Sequence, residues 1–307
     1  MNTNTALMHT NRRSKIKLSK EDRLFYIISG IFIFLILIVL LYPMIFIFSA
    51  SFSSPQAVNS GRVILWPVDV TFQGYEYVFR NDDILLGYRN SLFYAGFGTA
   101  INLFMTMIAA YPLATKEMPF RRSLMLLFSF TMFFSGGLIP SYLLIVQLGI
   151  INTPWAMVLP GAISVYNLII TRTFIQNSIP GDITDAAKID GASEYRYFIS
   201  ILLPLSKAVI AVITLYYMVA HWNSYFNAFL YLRDERLFPL QIFLRNILVL
   251  NDVQEFAMDP ETMQFQQDLA DQLKYGLIVV SSLPVIVLYM FVKRFFVHGV
   301  MIGSIKG

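Results

Sequence analysis

Between Leu24 and Ser49 the chain runs for 26 residues without one charged side chain. About 20 apolar residues are enough to cross the hydrocarbon core of a bilayer, and runs of this kind recur along the sequence. In lipid, every backbone N–H and C=O must find its partner within the protein, which leaves only helices and closed barrels. The runs here are continuous rather than alternating, and that favours helices over barrel strands. Six spans are expected, at about 24–49, 90–113, 123–148, 155–174, 205–229 and 275–297. The expected fold class is thus an all-α polytopic membrane protein with six transmembrane helices. Pro43 should kink the first span, Pro112 lies near the end of the second, and Ser135-Gly136-Gly137 with Pro140 interrupts the third.

Composition agrees. Of 307 residues, 56% are hydrophobic and only 14% are charged, too few charges to clothe a soluble domain of this size. The first apolar run exceeds the core of a cleavable signal peptide, about 7–15 residues, so it reads as a retained span. With the N-terminus inside, 16 of the 23 basic residues fall on inner segments. That bias follows the positive-inside rule and puts both termini in the cytoplasm. The basic stretch before Leu24 does no more in this reading than set topology and touch anionic lipid.

Several chemistries find no support. Cysteine is absent, which removes disulfides and thiolate metal sites. His9, His221 and His298 are too scattered to suggest a metal cluster, and no stretch fits a P-loop. No catalytic residue, metal ligand or nucleic-acid-binding pattern is assigned. A membrane enzyme acting on lipid-linked sugars would need clustered carboxylates at one face. An ion-coupled transporter would need ionisable residues within its spans, and the span centres lack Asp, Glu, Lys and Arg.

One polar interruption stands out, from Asp182 to Pro204. Asp182 is placed to cap a short helix, with Asp185 at the third position of a near capping box. Ala186 and Ala187 give it a small, close-approach face. Asp190-Gly191 reads as a break, because glycine accepts the backbone angles that end a helix. A second helix would align Ala192, Tyr195, Ile199 and Leu202 on one stripe, with Ser193, Glu194, Tyr197 and Ser200 opposite. Pro204 should stop it. Two short helices at the inner surface make a rigid knob. An interfacial helix that merely packs on lipid headgroups would show the same pattern.

The string Asp-Ala-Ala-Lys-Ile-Asp-Gly-Ala-Ser (185–193), followed by Leu-Leu-Pro (202–204), resembles the "EAA" loop of importer-type ABC transporter permeases. Asp185 stands where the family usually has Glu, and Gly191 matches its glycine. Further motifs resemble the carbohydrate-importer branch, of maltose-permease-like and LplC type. They are Phe134–Tyr142, Trp155–Ile163, His-Trp-Asn-Ser-Tyr at 221–225, and the tail Lys293–Gly307. The likeness covers nearly the whole chain after Lys17.

The resemblance implies a type I ABC importer permease fold. It divides the chain into a cytoplasmic segment 1–23, a permease domain 24–297 and a cytoplasmic tail 298–307, with a coupling loop at 177–204. Asp182, Asp185, Ala186, Ala187, Asp190, Gly191, Ala192 and Tyr195 would form the coupling element, seated in an ATP-hydrolysing partner. Gly303, Ser304 and Lys306 in the tail would reach the ATPase interface, with a frayed terminus as the alternative reading of that glycine-rich end. Implied partners are a second permease subunit, two ATP-binding cassette subunits carrying ATP and Mg, an extracellular sugar-binding lipoprotein and membrane lipids. The implied location is the plasma membrane of a Gram-positive bacterium.

Sugars are held by hydrogen bonds and aromatic faces, and polar residues within spans usually face a cavity. The fifth span offers Tyr216, Tyr217, His221, Trp222, Asn223, Tyr225 and Asn227 as a substrate path. Trp222 and Tyr225 would serve equally as interface-belt aromatics. Asn90, Asn102, Thr106, Gln147 and Asn167 are weaker candidates, better read as interhelical glue. Gly136, Gly137 and Pro140 mark either a gate or close helix packing. The outer segment 227–274, with Arg233, Asp234, Glu235 and Arg236, is the expected docking surface for the binding protein.

Overall fold

The structure, a computed structural model, describes residues 19–250 and 260–302, with side chains described over 19–247 and 273–295. Its helices in chain order are α1 (Lys20–Ser51), α2 (Pro55–Asn59), α3 (Gln73–Arg80), α4 (Asp82–Ala114), α5 (Arg121–Phe133), α6 (Leu138–Gln147), α7 (Trp155–Val158) and α8 (Val165–Ser178). They continue with α9 (Gly181–Ile189), α10 (Glu194–Tyr197), a π segment Phe198–Leu202, α11 (Leu203–Leu205), α12 (Lys207–Trp222), α13 (Tyr225–Tyr231), a 3-10 turn Glu235–Leu237, α14 (Leu240–Leu250) and α15 (Pro260–Ile302). Extended pairing among the described residues is confined to one antiparallel bridge, Ser53 with Val70.

The helix at the centre is α4, against which α8, α12 and α14 all pack. Its start is fixed by Asn81, whose side chain accepts the Ile84 N–H, and by Asp82 and Asp83 in the first turn. Its buried residues are mostly small or polar, among them Gly87, Ser91, Ala95, Gly98, Thr99, Thr106 and Ala110. Small side chains let helices approach closely where lipid supplies no hydrophobic drive between them. By contrast α1, held at its start by a Ser19–Asp22 capping box, buries only Ser49, Ala50 and Ser51.

The first, second and sixth expected spans each fall within one helix, and the other three are broken. Among the described residues three helices are long and apolar enough to cross a membrane, Lys20–Ser51, Asp82–Ala114 and Leu273–Phe295, or up to five crossings if each bent pair counts as one. The stretch expected as a third span is two helices, α5 and α6, meeting at 110°. Their break centres on Gly137 at φ +88°, an angle glycine adopts without steric cost. The expected fourth span is a single turn, α7, then an irregular stretch around Pro160-Gly161, then α8. Ahead of the fifth, Pro204 does not stop its helix. Lacking an N–H, it cannot complete the α pattern. The chain passes through the π segment and α11 instead, then bends by 79° at Ser206 into α12.

Candidate functional site: a polar cavity and an exposed elbow

A cavity of about 570 Å³ opens between α4, α8, α12 and the irregular stretch before α8. Its wall carries two hydrogen-bonded polar groups, around Asn102 and around Tyr217, beside apolar residues such as Met157 and Pro160. Asn102 donates from Nδ2 to the carbonyls of Gly161 and Ala162, at 3.1 and 2.8 Å. Its Oδ1 is left to accept, so the 2.6 Å contact with His221 Nε2 requires the proton on that nitrogen. The Tyr217 hydroxyl accepts the Ser164 N–H at 3.0 Å and lies 2.7 Å from Thr106 Oγ1. Asn102 and Tyr217 thereby hold the break between α7 and α8 in place. Asn167 also lines the cavity, and its buried Oδ1 has no partner among the described residues. Tyr166 and Tyr216 present rings whose centres lie 6.3 Å apart.

The residues expected along a substrate path therefore separate. Tyr217, His221 and Asn227 line the cavity, and Trp222, Asn223 and Tyr225 do not. Trp222 is 3% exposed, donates its indole N–H to the Ser281 carbonyl at 3.0 Å and packs edge-on against Tyr88. It is core between α4 and α15. One residue along a helix turns the side chain by about 100°, which takes Trp222 off the face shared by Tyr217 and His221. Asn223 turns back on its own helix, donating to the Val219 carbonyl, and Tyr225 is exposed. Gly136, Gly137 and Pro140 sit at the α5–α6 break, away from this cavity. Of the weaker candidates, Asn90 donates to the carbonyls of Arg236 and Phe238, tying α4 to the 3-10 turn and the residue after it.

The second feature is the elbow formed by α9 and α10. Helix α9 begins after Pro180 with no side-chain cap, so Asp182 lies in the first turn and does not cap it. It ends as glycine allows. Gly191, at φ +71°, donates to the Lys188 carbonyl, and Ala192 donates to that of Ala187. That pair of bonds is a Schellman turn. Ser193 then caps α10 through the Arg196 N–H.

Asp182, Asp185, Ala186, Asp190 and Gly191 are exposed, Ala192 is half-buried, and Ala187 faces inward. Ile189 and Tyr195 stand out, 85% and 76% exposed. The amphipathic stripe expected on the second helix is shifted. Tyr197, expected on the polar side, is buried, while Tyr195 and Ile199 are exposed. The cause is a partner for the phenol, since the Tyr197 hydroxyl lies 2.8 Å from Thr184 Oγ1, and burial of the ring then leaves no polar group unmet.

The elbow touches the C-terminal end of α4. Tyr111 donates its hydroxyl to Glu194, and Lys188 Nζ lies 3.0 Å from Glu117 Oε1. Lys188 holds the Glu117 carboxyl below its ordinary range, and Glu117 raises the Lys188 ammonium in turn. The last carbonyls of α4 and its cap are taken from outside. Arg172 donates to Leu113, Gln176 to Ala114, and Arg121 to Thr115. Gly303, Ser304 and Lys306 lie outside the described residues.

An all-helical bundle with broken spans, a polar cavity among them and a two-helix elbow outside it defines a membrane permease. The chain belongs to the family of binding-protein-dependent transport system inner membrane components, whose profile matches residues 84–228. It is a multi-pass sugar permease subunit of the type I ABC importer fold and of LplC type. Among its relatives in Bacillus subtilis (strain 168), the polygalacturonan/rhamnogalacturonan transport system permease protein YtcP is 37% identical over 94% of this chain and 100% of its own. Protein LplC from the same organism is 38% identical over 94% of this chain and 97% of its own. The structure is also similar to a crystal structure from a bacterial ABC transporter that imports the acidic polysaccharide alginate. That match has a TM-score of 0.81 and 32% identity, covering 91% of this chain and 99% of the other.

Proposed function

We propose that this subunit passes an oligosaccharide or polysaccharide fragment inward through the polar cavity, and that the α9–α10 elbow receives the motion driving it. In this reading the substrate arrives on an extracellular binding protein. A second permease subunit completes the path. Two ATP-binding cassette subunits bind and hydrolyse ATP with Mg, and this chain performs no hydrolysis itself. The relatives whose names mention polygalacturonan, rhamnogalacturonan and alginate support a carbohydrate cargo. The cavity suits one chemically. It offers the amide of Asn227 and the rings of Tyr166 and Tyr216 to a ligand made of hydroxyls and C–H faces.

The observation that carries the coupling role is the elbow's shape. A Schellman turn at Gly191 fixes α9 against α10 and leaves Ile189 and Tyr195 projecting from a polar surface. A pair of exposed apolar side chains on a rigid turn is suited to a socket. Moving such a rigid body against the rest fits alternating access.

The test is Gly191→Val in the full transporter with its binding protein and sugar. Open space surrounds Gly191, so any defect comes from the backbone angle rather than from a clash. Stimulation of ATP hydrolysis by the loaded binding protein should be lost while membrane insertion persists. Unchanged stimulation would remove the coupling role from the elbow.

A further inference from the structure

The outward face of the elbow is suited to docking, and its inward face does something else. Covalently, α9 and α10 continue only into α8 before them and α11 and α12 after them. Yet the inward contacts reach a helix distant in sequence. Tyr111, in the last turn of α4, donates to Glu194 across 83 residues, and its ring packs on Tyr197 and Phe198 at 5.8 and 5.7 Å. Glu117, just beyond α4, pairs with Lys188 at 3.0 Å. Tyr197, one of the rings against Tyr111, also bonds Thr184 on α9, so both elbow helices bear on the same point.

We infer that Tyr111 and Glu194, assisted by Glu117 and Lys188, form a clasp that makes α4 travel with the elbow, while Tyr197 and Thr184 fix the angle between the two elbow helices. The inference rests on the elbow reading above and names positioning residues for it. None of these six touches the cavity.

Three considerations support the clasp. The receiving end of α4 is stiff, because the carbonyls of Leu113, Ala114 and Thr115 are met by Arg172, Gln176 and Arg121 instead of being left to fray. The bond from Tyr111 ends on a carboxylate, and charge-assisted bonds are stronger than neutral ones. The Glu117–Lys188 pair is exposed and weak by itself, so it steers register more than it carries load. Further along the same helix, Asn102 lines the cavity, and Thr106 lies 2.7 Å from the hydroxyl of Tyr217, which lines it too. A displacement of the elbow thus reaches the cavity through α4 directly, in addition to whatever passes through α8 and α12.

This chain contains no cysteine, so a designed pair supplies its only thiols. In the full transporter in proteoliposomes, Glu117→Cys with Lys188→Cys would be joined by a short, reducible bis-thiosulfonate linker. If elbow and α4 move as one body, the bridged protein keeps more than about half of the sugar uptake it shows after reduction. Uptake below that level, restored by reductant, would overturn the clasp, because the elbow would then have to slide past α4. As a second arm, Tyr111→Phe keeps the ring and removes the hydroxyl. Sugar moved per ATP hydrolysed should fall roughly three- to tenfold, with hydrolysis still stimulated by loaded binding protein. An unchanged ratio overturns the proposal.

Cross-linking of Ile189→Cys to an ATPase subunit separates the two readings. With no cross-link, the elbow reading fails. With a cross-link and an unchanged Tyr111→Phe ratio, the clasp alone fails.

Discussion

Replacing Gly98 with alanine would test whether the cavity wall is a fixed structure. A Cβ on Gly98 would lie 2.5 Å from His221 Nε2 and 2.6 Å from its Cε1. Unstrained contacts need about 3.5 Å, so the ring must retreat by about 1 Å. His221 Nε2 is 2.6 Å from Asn102 Oδ1, one turn further along the same helix. A retreat of that size away from α4 takes the pair beyond hydrogen-bonding range. Overpacking costs about 1–3 kcal/mol and the lost bond about 1 kcal/mol. Together these should lower the apparent melting midpoint in detergent by about 5–10 °C. Gly96→Ala is the control, since nothing lies within 4 Å of a Cβ at Gly96. There the greater helix propensity of alanine should leave the midpoint unchanged or slightly raised. If Gly98→Ala melts within about 1 °C of Gly96→Ala, the His221–Asn102 link is not a fixed part of the wall.

Two further outcomes distinguish core from cavity. Trp222→Phe removes the indole bond to Ser281 and should cost about 1 kcal/mol of stability without altering the KM for sugar, because Trp222 does not line the cavity. A raised KM would restore Trp222 to the substrate path. Tyr216→Ala and Asn227→Ala, at the cavity edge, should instead raise KM by roughly three- to tenfold with little change in melting. An unchanged KM in transport assays would take the cavity out of the sugar's route.

The elbow was legible because its key position is local: a glycine after a short helix reads as a turn needing positive φ, and Gly191 has it. The break at Gly136-Gly137 was legible for the same reason. What escaped was helical phase and distant pairing. Tyr195 and Tyr197 differ by two positions, and only the tertiary partner Thr184 decides which ring is buried. Trp222 and His221 are neighbours in sequence, yet one faces α15 and the other the cavity. Asn102 and His221 lie 119 residues apart, and a single sequence holds no signal for their contact. The stretch at Pro160-Gly161 was masked by apolar residues on both sides, so a break lined by polar partners read as an uninterrupted span.

Helix α1 has a consequence of its own. From Leu24 to Tyr42 the large apolar side chains are exposed, and the residues buried in the protein lie at the C-terminal end, Ser49 to Ser51. That stretch lends little packing energy within this subunit, whereas nearer the C-terminal end Phe46 packs edge-on against Tyr275, so only the exposed stretch is free of the jigsaw constraints that govern a core. Conservative exchanges among Ile, Leu, Val and Phe along most of its length should therefore leave the remaining helices undisturbed. Along α4, by contrast, enlarging Gly87 or Gly98 would drive a side chain into Phe243 or His221.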